Sequence, residues 1–148
     1  MSDTDLIKLY SGRILALAAD IPHLDRLPAP MATVKKRSPL CGSTVTVDVD
    51  ITDGRISGFG QDVKACALGQ AAASVVGAQI VGRTRAEVET ARDELKAMLS
   101  GGPVPQAPFD GLEVLRPAAD YRNRHASIML TLDATAQAMA EAEQRDCA

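Results

Sequence analysis

Cys41, Cys66 and His125 carry the softest and most versatile donor atoms of this chain, and each stands where a regular element should begin. Cys41 lies in Pro39-Leu40-Cys41-Gly42, directly ahead of a strand pattern. Proline stiffens such an approach, and glycine lets the backbone turn tightly or come close to a ligand. Cys66 lies where a strand pattern gives way to a helix pattern, with Lys64 close by. A sulfur at a helix entrance meets unpaired N–H groups and the positive end of the helix dipole, which favour its anionic, ligating form. The two cysteines are too far apart for a compact zinc finger, whose paired ligands are about two to four residues apart. Any shared site must be assembled by the fold, and spacing alone leaves a pair of small core residues equally open. His125 opens the last helix pattern between Arg122 and Arg124. It reads either as a hydrogen-bonded or solvent-facing side chain or as a ligand. His23, between Pro22 and Leu24, is a weaker candidate, and Cys147, in the charged C-terminal stretch, reads as incidental. No spacing suggests a Ser-His-Asp or Cys-His catalytic pair, and no glycine-rich phosphate loop follows a strand.

The elements that must position these side chains are written in the hydrophobic periodicity. Leu6, Ile7, Tyr10, Ile14, Leu17 and Ala18 recur at helical spacing up to Pro22. The proline-rich stretch 21–31 predicts an extended loop, and Val34-Lys35-Lys36-Arg37 predicts a solvated one. Val45, Val47, Val49 and Ile51 alternate with Thr44, Thr46, Asp48 and Asp50, the period of a half-buried strand. Asp53-Gly54 is a hairpin turn, and a partner strand follows over 55–63. Leu68, Ala72, Val75, Val76 and Ile80 share one helical face that Gly82 ends. Thr84 and Glu87 form a capping box for a helix through Val88, Ala91, Leu95, Met98 and Leu99, stopped by Gly101-Gly102-Pro103. The stretch around Phe109–Arg116 predicts a short helical turn or two. A long helix runs from about residue 124 to 144 before a polar tail expected to fray. This order predicts an α+β fold, with a small antiparallel sheet packed against several helices.

Composition narrows the function classes. The chain has 148 residues, the length of a single domain. It is 46% hydrophobic but only 3% aromatic, so the core must be aliphatic. A net charge of −3 without a long basic run argues against nucleic acid. The residue 34–37 cluster could still dock an acidic protein patch. No apolar run approaches membrane-spanning length. The N-terminal stretch lacks an apolar signal core, and three cysteines without a secretory context predict reduced thiols in the cytoplasm.

Taken together, Pro39-Leu40-Cys41-Gly42-Ser43, Asp53-Gly54, Ala65-Cys66, the Ala-rich helix and Gly82-Arg83-Thr84 resemble the U-type iron–sulfur cluster scaffold proteins: IscU, SufU and the N-terminal domain of NifU. The family pattern is a Pro-x-Cys-Gly-Asp strand start, an Asp-Gly hairpin, a Gly-Cys helix start and a Gly-Lys-Thr helix start. The resemblance covers roughly residues 5–140. The stretch from Phe109 to Met129 is similar to the SufU-type insertion, and IscU's Leu-Pro-Pro-Val-Lys motif is absent. Two positions depart from the pattern. Ser43 stands where the family has aspartate. The third cysteine is replaced by His125 on the SufU-type alignment, or by Ala126 on the IscU-type alignment.

The resemblance implies a non-enzymatic scaffold or accessory protein of iron–sulfur cluster assembly. Cys41, Cys66 and His125 would hold a transient cluster, of the [2Fe–2S] type, or zinc. Ser43 and Lys64 would lie beside that site. The implied partners are a cysteine desulfurase and recipient iron–sulfur apoproteins. A Cys₂His set with an open fourth position suits zinc, and an imidazole can replace thiolate on one iron of a [2Fe–2S] cluster. Two other roles fit the altered ligand set. One is a zinc-bound or metal-free module that docks or regulates a desulfurase. The other is a persulfide carrier that accepts sulfur at Cys66.

Overall fold

The computed structural model describes residues 11–40 and 42–146. The first half of the expected N-terminal helix, with Leu6, Ile7 and Tyr10, lies outside them, as do Cys41 and Cys147. Helix α1 spans Gly12–Ala19, with the Ser11 side chain capping it at the Ile14 N–H. Strands β1 (Ala32–Arg37), β2 (Thr44–Thr52) and β3 (Arg55–Lys64) form an antiparallel sheet in the order β1-β2-β3. Helices α2 (Ala67–Gln79) and α3 (Arg85–Leu99) follow, then a 3₁₀ helix (Asp110–Asp120) and the long helix α4 (Arg122–Asp146). This is the expected α+β architecture.

Helix α4 lies across β1 and β2 and is flanked by α2 and α3. Val45, Val47 and Val49 of β2 are fully buried, and Val34, Phe59 and Gln61 are aligned with them in the register. They form the sheet face that meets the helices. Leu68, Val76, Leu95, Leu132 and Met139 complete one aliphatic cluster with them. Burial of such side chains contributes about 1.5–3 kcal/mol each.

Several details depart from expectation. Val34-Lys35-Lys36-Arg37 is not a loop; it is most of β1, the edge strand. Its three charges hid the Ala32/Val34 alternation, which buries those two residues. Asp48, on the face of β2 expected to be polar and half open, has no exposure at all. The covering element is the loop after α1. It crosses β3 where the Gln61 N–H donates to His23 O at 2.9 Å, then passes over the second face of the sheet. There Arg26 donates to Asp48 from Nε at 2.6 Å and from Nη2 at 3.0 Å, the Leu27 N–H donates at 3.1 Å and Thr33 Oγ1 at 2.6 Å. Burial opposes ionisation of Asp48, but these four donors outweigh it and hold the carboxyl below its ordinary range. The 3₁₀ helix is eleven residues long, more than the one or two turns expected. Helix α4 continues to Asp146, with Arg145 donating to Met31 O, so the expected fraying does not begin at Glu143.

Candidate ligand site at the sheet end

The β2–β3 register brings the two cysteine-bearing segments together. Thr44 is paired with Lys64. The chain therefore enters β2 and leaves β3 side by side at the same end of the sheet. Cys41 precedes the first of these residues in sequence by three positions, and Cys66 follows the second by two. The turn before β2 is closed by the Ser38 N–H donating to Ser43 O at 2.8 Å and the Gly42 N–H donating to Ser38 O at 3.0 Å. Gly42 has φ +68°, a left-handed conformation that side chains with a Cβ resist. Leu40, in the same turn, is 74% exposed.

Cys66 is half-buried and forms the N-cap of α2, in extended conformation, with no side-chain capping hydrogen bond. It precedes the first turn of a 13-residue helix, whose first N–H groups have no partner within the helix. Lys64 turns to Asp62, Nζ to Oδ2 3.9 Å, and is largely exposed. The first turn of α2 is pressed against α4. A Cβ on Gly69 would stand 3.2 Å from Ser127 O and 2.8 Å from Ala65 Cβ. On the other side Ser127 Oγ donates to Ser43 Oγ at 2.6 Å, with both side chains buried. Ser127 thus joins the α2 entrance, the β2 entrance and the start of α4. Nothing in the local sequence around Ser127 marks this part.

His125 lies near the start of α4 and is half-buried. Its Nε2 is 3.0 Å from Ala118 O and 3.1 Å from Ala119 O, at the end of the 3₁₀ helix. Carbonyls only accept, so Nε2 is the donating nitrogen, and in the tautomer that ligates the proton is on Nε2. The lone pair is then on Nδ1. An imidazole held through one N–H by carbonyl oxygens, with the other nitrogen basic, is the usual form of a histidine ligand. Ala126 offers no donor atom. His23 has a left-handed backbone (φ 60°), and its ring meets Phe59 edge-on at 6.0 Å. Among the described residues, no group of three or more His, Cys, Asp and Glu side chains could hold a metal ion. Cys41 is outside the described residues, and the expected trio with it.

No family model matches the chain, and no curated protein matches it. Solved structures do. A nitrogen-fixing NifU-like protein (N-terminal) from Brucella abortus superposes with a TM-score of 0.91 at 40% identity, over 95% of this chain and 98% of that one. The chain belongs to the NifU-like N-terminal family. This NifU-like chain also shares its fold with a protein from the thermophilic Fervidobacterium islandicum AW-1 assigned as an iron–sulfur cluster assembly scaffold for the SUF system. That match has a TM-score of 0.79 and 18% identity over 90% of this chain and 98% of the other. A hypothetical protein matches similarly, with a TM-score of 0.80 and 20% identity over 90% and 98%. Among the described residues, no helix is long and apolar enough to cross a membrane.

Proposed function

We propose that this NifU-like protein is a scaffold or accessory protein of iron–sulfur cluster assembly, with Cys41, Cys66 and His125 as the ligands of the bound cargo. One observation carries the reading: Ser127 ties the α2 entrance, the β2 entrance and the start of α4 together, and these are the segments that bear the three residues. Two sulfurs and an imidazole nitrogen leave a fourth position open on zinc, and a [2Fe–2S] cluster would take a further ligand from solvent, a small thiol or a partner. An incomplete set holds its cargo transiently, as delivery requires. Sulfur would come from a cysteine desulfurase, and the product would pass to recipient apoproteins. The protein itself would catalyse no bond change beyond accepting sulfur at Cys66.

A second reading rests on Ser43. Its hydroxyl is neutral and engaged by Ser127, so it adds no charge to the site. A neutral residue there favours a zinc-bound or metal-free module that docks a desulfurase. The deciding experiment is anaerobic purification with assay of zinc, iron and acid-labile sulfide. It is followed by incubation with iron, cysteine and a cysteine desulfurase while the visible spectrum is recorded. Growth of a cluster chromophore, abolished in Cys41→Ala and Cys66→Ala and weakened in His125→Ala, is expected. Stoichiometric zinc without a chromophore would establish the second reading, and neither metal nor chromophore would overturn both ligand assignments.

A further inference from the structure

The two edges of the sheet are treated differently. The outer edge of β3 is capped by other segments at Ile56 and Gln61. The Ile56 N–H donates to Arg83 O at 3.0 Å, the Gly82 N–H donates to Ile56 O at 2.8 Å, and the Gln61 N–H reaches His23 O. The outer edge of β1 has no such cover: among the described residues, no backbone hydrogen bond reaches it from outside the sheet. Every second backbone N–H and C=O of a six-residue edge strand therefore points outward.

This open edge is basic. Lys35 and Arg37 are exposed on one face of β1, and Lys36 is half-buried on the face toward α4. Beside α4 runs a groove of about 550 Å³, walled by Arg92, Lys96 and Leu99 of α3 and floored by Met129 and Asp133 of α4. Burial raises the Asp133 carboxyl and outweighs the opposing pull of Arg92, Lys36 and Lys96, so Lys36 of β1 acts on the same carboxyl as the two groove-lining cations of α3. Lys36, Arg92 and Lys96 thus set three cations against the two carboxylates of Asp93 and Asp133 at the groove, and Lys35 and Arg37 add two more on the other face of the strand, in a chain whose net charge is −3.

We propose that the β1 edge is a docking site for an acidic, extended segment of a partner protein. The segment would add as a fourth strand, with alternate acidic side chains meeting Lys36, Arg92 and Lys96 over the groove. Strand addition takes its affinity from main-chain hydrogen bonds and its selectivity from alternate side chains. A second copy of this chain is the wrong occupant, because antiparallel pairing of two β1 edges sets Lys35, Lys36 and Arg37 against their own kind. The groove and the ligand site meet at His125, which lines one end of the groove, but the strand pairing itself involves only β1.

The test uses the full chain and a fluorescein-labelled peptide of alternating glutamate and valine, followed by anisotropy at physiological salt. Saturable binding is expected, with amide NMR shifts concentrated at residues 32–37. Methylating alternate peptide nitrogens, which keeps the charge but removes the donors, should weaken binding about tenfold or more. The groove variant Lys96→Glu should do likewise, and Lys35→Glu with Arg37→Glu, on the opposite face, should weaken binding less, neither changing the circular dichroism spectrum. No binding would overturn the proposal. So would equal binding of the methylated peptide, shifts elsewhere, or self-association through β1 in sedimentation experiments.

Discussion

Ser127 and Ser43 are 84 positions apart in the chain and share a 2.6 Å hydrogen bond in the interior, Ser127 donating. The bond fastens the start of α4 to the turn that leads into β2. His125, two positions before Ser127, is thereby held at the same end of the molecule as the turn before β2. Removing either hydroxyl leaves the other buried and unpaired, which costs about 1–3 kcal/mol. Ser43→Ala and Ser127→Ala should each lower stability by about that amount. The double variant should cost clearly less than the sum, because the second substitution removes the orphan left by the first. Urea unfolding of the three variants measures this, and strict additivity would mean the bond contributes nothing.

His125 can be separated into a structural half and a ligand half. A glutamine amide nitrogen approximates the position of Nε2 and can donate to Ala118 O and Ala119 O, but glutamine has no Nδ1 lone pair. His125→Gln should therefore retain most of the stability and lose metal or cluster affinity. His125→Ala should lose both, with a stability cost of about 1 kcal/mol. Calorimetric zinc titration alongside thermal unfolding reads the two halves independently. Unchanged zinc affinity in both variants would remove His125 from the ligand set.

The element pattern was legible in the sequence because it depends on local periodicity: the β2 alternation, the Thr84–Glu87 capping box and the Asp53-Gly54 turn are all as expected. Three features were not. Strand β1 was hidden because Lys35-Lys36-Arg37 dominates it; edge strands tolerate such charges, and here they mask a two-residue alternation. The burial of Asp48 was hidden because it depends on a loop that returns from 21 or more positions away to supply Arg26 and Leu27. The role of Ser127 was hidden because small polar residues in helices carry no local signal; its meaning comes from Gly69 and Ser43, which only the fold brings near. Cys66 was legible as a helix entrance, and the pairing of the chain entering β2 with the chain leaving β3 needed the Thr44–Lys64 register.

Asp48 should dominate the acid limb of stability. Its folded carboxyl is held below the ordinary value, so as pH falls the unfolded chain takes up the proton first. The contribution is complete above about pH 4 and disappears as pH drops through the lower folded value. Asp48→Asn should cost about 2 kcal/mol at neutral pH, a buried pair discounted because Arg26 is half exposed. It should also flatten the stability profile below pH 4. Denaturation midpoints across pH 2–7 test this; an acid limb as steep as in the parent chain would reassign it to other carboxylates.

Gly60 lies where the covering loop comes closest to the sheet. A Cβ there would stand 2.7 Å from Asp25 O, 3.1 Å from Leu27 N and 3.2 Å from Arg26 Cα, all backbone atoms that cannot swing aside. Gly60→Ala should lift the loop and loosen the donors to Asp48, costing about 1–3 kcal/mol. Hydrogen exchange should show the loss of protection in residues 22–31 first, with the α4 core unaffected.

Gly69 sets how closely the α2 entrance approaches α4. A methyl at this position would collide with Ala65 Cβ at 2.8 Å and crowd Ser127 O at 3.2 Å. Ala65 and Ser127 are themselves fixed, the first between β3 and the Cys66 N-cap and the second by its bond to Ser43. Relief must therefore come from moving the first turn of α2 away from α4, which carries Cys66 out of register with the other two ligand-bearing segments. The helix itself gains from alanine by about 1 kcal/mol, because glycine is the poorer helix former. Stability and site function should thus separate: Gly69→Ala should leave the unfolding midpoint nearly unchanged while weakening zinc or cluster retention about tenfold, since a displacement of under an ångström disrupts a coordination shell. Paired measurement of unfolding and metal affinity decides it, and retention equal to that of the parent chain would show that the α2–α4 approach does not set the site.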